Sequence, residues 1–228
     1  MHVPDGFLDA PTSLATGVVA AAGVAVALRY ARRELDDRTA PLAGLVATFV
    51  FATQMINFPV GPGTSGHLLG GALAAVLVGP ATALLCMSVV FLVQCLLFAD
   101  GGITALGTNI VLMGIVTVVV GWAVFRATQA VLPRKVSSVA PAAALAALLS
   151  VPVAALVFVG LYAVGGAVEI PLGGLTTAML GVHTLIGIGE AAITFLAVGS
   201  IVAVRPDLVH GARRVLAERT LELKEVAR

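Results

Sequence analysis

The feature that most limits the fold of this chain is a succession of long apolar segments separated by short polar stretches. Of its 228 residues, 59% are apolar and 11% are charged, and the mean hydropathy is +1.07. Soluble proteins carry about 25% charged residues. Because a bilayer core needs about 20 apolar residues per helix, these segments suffice for about six to eight spans. We therefore predict an all-α, polytopic protein of the cell membrane, embedded in the lipid bilayer, and the composition gives no support for nucleic-acid binding.

Seven transmembrane helices are predicted from the positions of these segments. The stretch 68–99 is too long for one upright span, and Gly79-Pro80 divides it into a short helix and a full one. The predicted spans cover residues 12–28, 41–58, 68–79, 80–99, 103–125, 139–164 and 175–204. They form one membrane-embedded domain, 1–204. The tail, 205–228, is predicted to be cytoplasmic and to form an amphipathic helix from about Gly211.

The basic residues predict the orientation of the chain. All 13 lysines and arginines fall in three segments, 29–38, 126–135 and 205–228. Since basic loops stay on the cytoplasmic side, the N-terminus is predicted to lie outside and the C-terminus inside. The first 11 residues contain no basic residue, unlike the start of a cleaved secretory signal, so we expect the first span to be retained.

Two histidines on the predicted outer side can bind one metal ion together. A histidine at the second position of a chain can chelate a metal together with the terminal amine. Here the amine of Met1, the backbone nitrogen of His2 and Nδ1 of His2 can bind one metal in a single plane. His67 ends an uncharged loop rich in glycine and proline, residues 57–67, which predicts a tight turn. His67 could supply a fourth nitrogen. Four nitrogens in a plane suit nickel or copper, and imidazole ligands also suit cobalt.

This hypothesis requires that Met1 is retained, and it predicts a pH dependence. The metal displaces protons from its nitrogen ligands, so binding should weaken as the pH falls. Asn57, Thr64 and Ser65 in the same loop are candidates to hydrogen-bond around the site.

A second polar pair lies inside the last predicted span. His183 and Glu190 are seven residues apart, hence on one helical face, and an acid within a membrane is a functional hypothesis. A role in packing or hydrogen bonding is the alternative. Gln54, Gln94 and Asn109, which also lie in or near spans, are expected to form interhelical hydrogen bonds.

Three stretches resemble a known family. They are MHVPDGFL at residues 1–8, QMINFPVGPGTSGHLLGG at 54–71 and FADGGITALGTNI at 98–110. They are similar to the CbiM/NikM components of cobalt and nickel transport, and the likeness extends to about Arg205. Val3-Pro4-Asp5 departs from the Met and Glu of many relatives and removes no ligand.

The resemblance implies a substrate-binding membrane subunit of an energy-coupling-factor importer. A separate transmembrane coupling subunit and cytoplasmic ATPases would drive uptake, and the metal ligands would be Met1, His2 and His67. The cargo would be cobalt for cobalamin biosynthesis or nickel for nickel enzymes, with no resident cofactor. The sequence leaves open which metal is carried and whether a small accessory membrane subunit is needed.

The absence of a G-x4-GK-[ST] sequence indicates that ATP hydrolysis belongs to a partner and that this chain is not an enzyme. Two rival hypotheses stay open. The first is a self-sufficient metal permease or channel that uses His183 and Glu190. The second is a membrane metalloenzyme, for which one histidine and one glutamate within the spans are too few.

Overall fold

A computed structural model describes residues 1–36, 39–61 and 64–218, which form a helical bundle. The principal helices, numbered in chain order, are α1 (Ala10–Glu34), α2 (Ala40–Gln54), α3 (Gly71–Val78), α4 (Pro80–Leu97), α5 (Leu106–Val131), α6 (Val139–Gly165) and α7 (Leu172–Val204). Helix α5 contains a π-helical stretch, Ile110–Val116. Strands β1 (Phe58–Gly61) and β2 (Thr64–Gly66) pair antiparallel between α2 and α3. Short 3-10 turns occur at Val136–Ser138, Pro206–Leu208 and His210–Ala212.

Five of these helices are long and apolar enough to cross a membrane. They are α1, α4, α5, α6 and α7, with α2 shorter at 15 residues and α3 at 8. The helical, membrane-type fold is thus confirmed. Seven crossings and the orientation of the termini stay predictions.

The short helix α3 lies at the centre of the bundle. All eight of its residues are buried, as expected for a helix that is apolar on every side. It packs closely against α5, where a Cβ added to Gly121 would lie 2.6 Å from the Cβ of Ala72. Small residues at this crossing let the two backbones approach, which is how helices associate in lipid.

The predicted break between the third and fourth helices is confirmed at Gly79. Its φ of 96° is a conformation that only glycine adopts readily, and Pro80 then begins α4. The carboxylate of Glu34, at the end of α1, accepts hydrogen bonds from the backbone N–H groups of Ala81 at 3.0 Å and Thr82 at 2.7 Å. This contact satisfies two free N–H groups of α4 and joins the two helices.

Gly79→Ala is expected to lower the free energy of unfolding by about 1–3 kcal/mol because of its backbone conformation alone. The new Cβ would also lie 2.6 Å from the carboxyl carbon of Glu34. Thermal unfolding in detergent measures the effect. Gly160→Ala in α6 is the matched control, since a Cβ there has no atom within 4 Å. Equal stability of the two variants would contradict this account of the break.

The predicted ends of the second and third spans were wrong. Helix α2 ends at Gln54 and not at residue 58, and α3 begins at Gly71 and not at residue 68. The tight turn expected between them is a β-hairpin followed by an extended segment. Gly70, with φ of 80°, turns the chain into α3. Residues 55–58 and 68–70 had been assigned to spans because they continue the apolar runs, and apolar content alone does not define the backbone conformation.

The first part of the tail packs against the bundle. Val209 and Ala212 are fully buried, and a Cβ on Gly211 would meet the ring of Phe125 at 2.6 Å. Residues 213–218 are helical, in agreement with the predicted tail helix. The rest of that helix, 219–228, lies outside the described residues.

Candidate metal centre

The first residues of the chain are buried in one end of the bundle. Met1, His2 and Val3 are 0%, 5% and 1% exposed. Asn109 in α5 holds Val3 by two hydrogen bonds: Oδ1 accepts from the backbone N–H at 2.7 Å, and Nδ2 donates to the carbonyl at 3.2 Å. The N–H of Gly102 also donates to the Val3 carbonyl, at 2.9 Å. The N-terminal segment is therefore fixed through its backbone.

The same segment runs alongside the connection between α6 and α7. The N–H of Asp9 donates to the carbonyl of Gly165 at 2.7 Å, and the N–H of Ala167 donates to the carbonyl of Phe7 at 3.0 Å. Asp9 also caps α1, because its side chain accepts from the N–H of Thr12 at 2.9 Å. The N-terminus and the start of α7 consequently share one end of the bundle.

The terminal amine of Met1 lies 2.8 Å from Nε2 of His67. The other ring nitrogen of His67, Nδ1, lies 2.8 Å from the carbonyl oxygen of Leu68. Since a carbonyl oxygen only accepts, Nδ1 carries the proton and Nε2 presents its lone pair to the amine. The two groups are 66 residues apart in the sequence, and the fold brings them into direct contact.

The ring of His2 lies next to that of His67, with ring centroids 4.6 Å apart. Its Nε2 is 3.1 Å from Oε1 of Gln94, an oxygen that only accepts, so Nε2 carries the proton. The lone pair is then on Nδ1, which is buried and makes no hydrogen bond. This nitrogen lies 3.2 Å from Oδ1 of Asp100. The arrangement leaves Nδ1 available to a cation beside a negative charge.

Burial keeps the nitrogens of this site unprotonated. It lowers the pKa of the Met1 amine to about 4, against an opposing effect of the Asp100 carboxylate. Burial and then the charge of the terminal amine lower the pKa of His2 to about 4. The same two causes hold the pKa of His67 well below its ordinary value. At neutral pH these groups are therefore neutral donors of lone pairs.

Glu190 anchors the segment that follows His67. Its two carboxylate oxygens accept from the backbone N–H groups of Leu69 at 2.8 Å and Gly70 at 2.9 Å. The carbonyl of Leu69 accepts from Nε2 of Gln54 at 2.7 Å. Glu190 is 2% exposed. Glu190 is therefore hydrogen-bonded to the backbone in the structure, and its part in an ion pathway stays a prediction.

His183 lies on the same face of α7 and is fully buried. Its Nδ1 donates to the carbonyl of Met179 at 2.8 Å, within the helix. The hydrogen bonds of His183 and Glu190 in the structure are with backbone groups and do not join the two side chains.

The predicted surrounding residues are only partly described. Asn57 is exposed, and its Nδ2 donates to Oδ2 of Asp100 at 2.9 Å, so it reaches the site through that carboxylate. The side chains of Thr64 and Ser65 lie outside what the structure describes, and their role stays a prediction.

Three residues beside the site were not predicted to be there. Gln94 and Asn109 were expected to join helices, but they bond to the N-terminal segment, and Asp100 had been given no role. The available signal was polar residues in otherwise apolar helices. Their partners are about a hundred positions away, which no local pattern reveals.

The groups at this end of the bundle that could bind a metal are nitrogens of the chain's first residues and of one loop histidine. Within residues 1–36, 39–61 and 64–218, no three or more side chains of His, Cys, Asp or Glu are grouped as a metal site would require. The nitrogens that converge are instead one terminal amine and two imidazoles, and the backbone nitrogen of His2 lies between the amine and its own ring. Such a set can chelate a transition metal in one plane.

Five apolar helices of spanning length and a buried polar end define a multi-pass membrane protein. The chain belongs to the CbiM family, the cobalt uptake substrate-specific transmembrane region, whose model matches residues 2–208. It is 40% identical, over 92% of its length and 93% of the relative's, to a protein of Haloquadratum walsbyi assigned by its name to metal transport. It is also 40% identical to an Archaeoglobus fulgidus protein assigned to nickel transport, over 92% of this chain and 68% of that one.

The fold agrees with a solved structure. The crystal structure of a truncated transition metal transporter superposes with a TM-score of 0.73 at 30% identity, covering 89% of this chain and 99% of the other. The resemblance seen in the sequence is therefore confirmed at the level of the family and of the fold.

Proposed function

We propose that the chain is the substrate-capture subunit of an ATP-driven energy-coupling-factor importer for cobalt or nickel ions. It binds the metal on the outer side of the cell membrane through the Met1 amine, the nitrogens of His2 and Nε2 of His67. The assignment of cobalt or nickel as the cargo is supported by membership of a cobalt uptake family and by relatives that are named as cobalt transport proteins. The uptake would supply cobalamin biosynthesis or nickel enzymes.

The single observation that carries the proposal is the convergence of unprotonated nitrogens at the buried N-terminus. The amine touches Nε2 of His67 at 2.8 Å, and Nδ1 of His2 is buried without a hydrogen bond. A buried nitrogen that makes no hydrogen bond costs free energy, and the charged group beside this one is the Asp100 carboxylate at 3.2 Å. A cation that accepted these lone pairs would satisfy them.

The surroundings suit a cation that has lost its water. The Asp100 carboxylate, 3.2 Å from Nδ1 of His2, supplies a negative charge. Gln94 holds the proton of His2 on Nε2 and so leaves Nδ1 for the metal, as residues that hydrogen-bond to a ligating histidine do in metal sites. Because Asn109 fixes Val3 by its backbone, the first two residues keep one geometry. Such preorganisation lowers the entropic cost of binding.

Release toward the cytoplasm requires partners in this proposal. A transmembrane coupling subunit and cytoplasmic ATPases would reorient the bundle, and a small accessory membrane subunit could assist loading. The rival permease would use Glu190, each of whose carboxylate oxygens accepts one backbone N–H group from the segment before α3.

Direct binding and uptake measurements test the proposal. The purified chain should bind one equivalent of nickel with the absorption of a square-planar ion. Cells that contain the chain together with its coupling and ATPase partners should accumulate the metal, and cells that contain the chain alone should not. Transport by the purified chain in vesicles without ATPases would support the permease and contradict the proposal.

Metal binding is expected to release about one proton per ion near neutral pH. The amine and both imidazoles are already unprotonated through burial, so only the backbone amide of His2 must lose its proton. Affinity should therefore rise about tenfold per pH unit between pH 6 and pH 8. Calorimetry in two buffers of different ionisation enthalpy counts the protons. Release of three protons would contradict the neutral state of the empty site.

A further inference from the structure

The nitrogens of the candidate centre are closed off from solvent in this structure. Met1 and His67 are fully buried, and His2 is 5% exposed. Nδ1 of His2 is itself buried and makes no hydrogen bond. An ion that arrives from outside can therefore reach these nitrogens only when a group that covers them moves.

The side chain of Asp100 connects the buried Nδ1 of His2 to the protein surface. Its Oδ1 lies 3.2 Å from that nitrogen, and its Oδ2 accepts a hydrogen bond from Nδ2 of Asn57 at 2.9 Å. The Asp100 side chain is 17% exposed, against 3% for that of His2, and Asn57 is exposed. One oxygen of the carboxylate thus faces the site, and the other is held by a surface residue.

The contact between Asp100 and His2 joins two atoms that both accept. Because the proton of the His2 ring is on Nε2, neither Oδ1 nor Nδ1 brings a hydrogen to it. Two lone pairs that face each other in this way repel. A cation that comes to this point is attracted by the carboxylate and by the nitrogen together.

The backbone around Asp100 is fixed, so the group that is free to turn is its side chain. The N–H of Asp100 donates to the carbonyl of Gln94 at 3.1 Å, and the N–H of Gly102 donates to the carbonyl of Val3 at 2.9 Å. Between them, Ala99 has a φ of 52°, a strained conformation for alanine that persists only where the surrounding structure imposes it. Rotation of one exposed side chain is fast compared with movement of such a loop.

The end of the bundle that contains Asp100 carries acids. Four of them lie in the N-terminal segment and in the connections at this end: Asp5, Asp9, Asp100 and Glu169. Arg29, the first basic residue of the chain, is about 30 Å from Asp9 along α1. A surface of one charge raises the local concentration of ions of the opposite charge and their rate of arrival. Of the four acids, Asp100 is the one in contact with a nitrogen of the site.

We propose that Asp100 controls access to the site: its carboxylate draws the hydrated divalent ion to the surface beside His2, and its side chain turns aside as the ion passes to Nδ1. The inference rests on the proposed function, because it needs metal binding at the nitrogens. The metal loses its water after it meets the carboxylate, so the rate of binding is proportional to the fraction of ions held there. Asp100 is thus a positioning residue that sets the association rate, and the nitrogens set the dissociation rate.

Stopped-flow absorption of the wild-type chain in a non-ionic detergent, mixed with Ni²⁺, tests the attraction without any variant. The association rate constant should fall about threefold or more between about 20 and 200 mM NaCl, because salt screens the carboxylate. Dissociation, measured by adding an excess of chelator, should respond less to salt. An association rate that salt leaves unchanged would overturn the inference.

Asp100→Asn removes the charge and keeps the shape of the side chain. It should lower the association rate constant about tenfold or more for Ni²⁺ and Co²⁺ alike, and change the dissociation rate constant less than about threefold. Asp100→Ala, which cannot donate a hydrogen bond to Nδ1 of His2, should show the same loss. Glu169→Gln is the matched control, since it removes one negative charge from the exposed connection between α6 and α7. Its association rate should fall less than about twofold.

The outcomes separate this inference from the proposed function. Unchanged association in Asp100→Asn, or an equal loss in Glu169→Gln, would overturn the role of Asp100 and leave the capture site standing. Faster dissociation with unchanged association would show that Asp100 holds the bound ion, which also contradicts the inference. Absence of metal binding by the wild-type chain, or binding that His67→Ala leaves unchanged, would overturn both.

Discussion

A chain extended by a few residues before Met1 is expected to lose tight nickel and cobalt binding. The extension converts the terminal amine into an amide, and that amine is the group in contact with His67 at 2.8 Å. Met1 is fully buried, so added residues would also have no space beside it. Loss of a supporting residue around a metal typically weakens binding about 10–100-fold, and loss of a ligand should exceed that.

Removal of the extension provides the control for this experiment. A protease site placed directly before Met1 regenerates the free amine in the same preparation, and cleavage should restore one equivalent of bound metal. Intact mass spectrometry shows whether the native chain keeps an unblocked Met1. If the extended chain binds as tightly as the cleaved one, the terminal amine is not a ligand, and the proposed site is wrong.

His2→Ala and His67→Ala are each expected to abolish high-affinity metal binding while the chain still folds. Each removes one imidazole whose lone pair faces the site. Folding should survive in His67→Ala because the following segment stays bonded to Glu190 through Leu69 and Gly70. In His2→Ala, the backbone bonds of Asn109 to Val3 do not involve the lost ring.

The matched control for both variants is His210→Ala. His210 is a histidine of the same chain that packs on Trp122 and has no contact with the N-terminal segment among its described neighbours. Metal content by elemental analysis and thermal unfolding in detergent should be compared across the set. Wild-type metal content in either His2→Ala or His67→Ala would remove that residue from the site.

Glu190 is an intramembrane acid whose hydrogen bonds in the structure are with the backbone. An acid in a membrane is expensive, and the sequence therefore suggested a pathway for ions. In the structure its two oxygens satisfy two backbone N–H groups of the extended segment before α3. These N–H groups have no helical partner, because both residues precede α3, which begins at Gly71. Glu190 therefore holds the segment that follows His67 by its backbone.

The sequence alone determined the features that depend on local composition and chain geometry. The apolar segments predicted the helical membrane fold, and Gly79-Pro80 located the break before α4. His2 next to the chain's first amine, and His67 at the end of an uncharged loop, were sufficient to nominate a nitrogen site. The structure places these groups in contact, and their binding of a metal stays a prediction.

Only the tertiary structure decided how the site is held. The hydrogen bonds of Asn109 to Val3, of Gln94 to His2 and of Glu190 to the His67 segment join residues 92 to 121 positions apart. Helical periodicity reports which residues share a face of one helix, but it carries no information on which faces meet. The burial of Met1 follows from those contacts. Because burial sets the protonation of the amine and the imidazoles, the chemistry of this end of the bundle is a property of the folded chain.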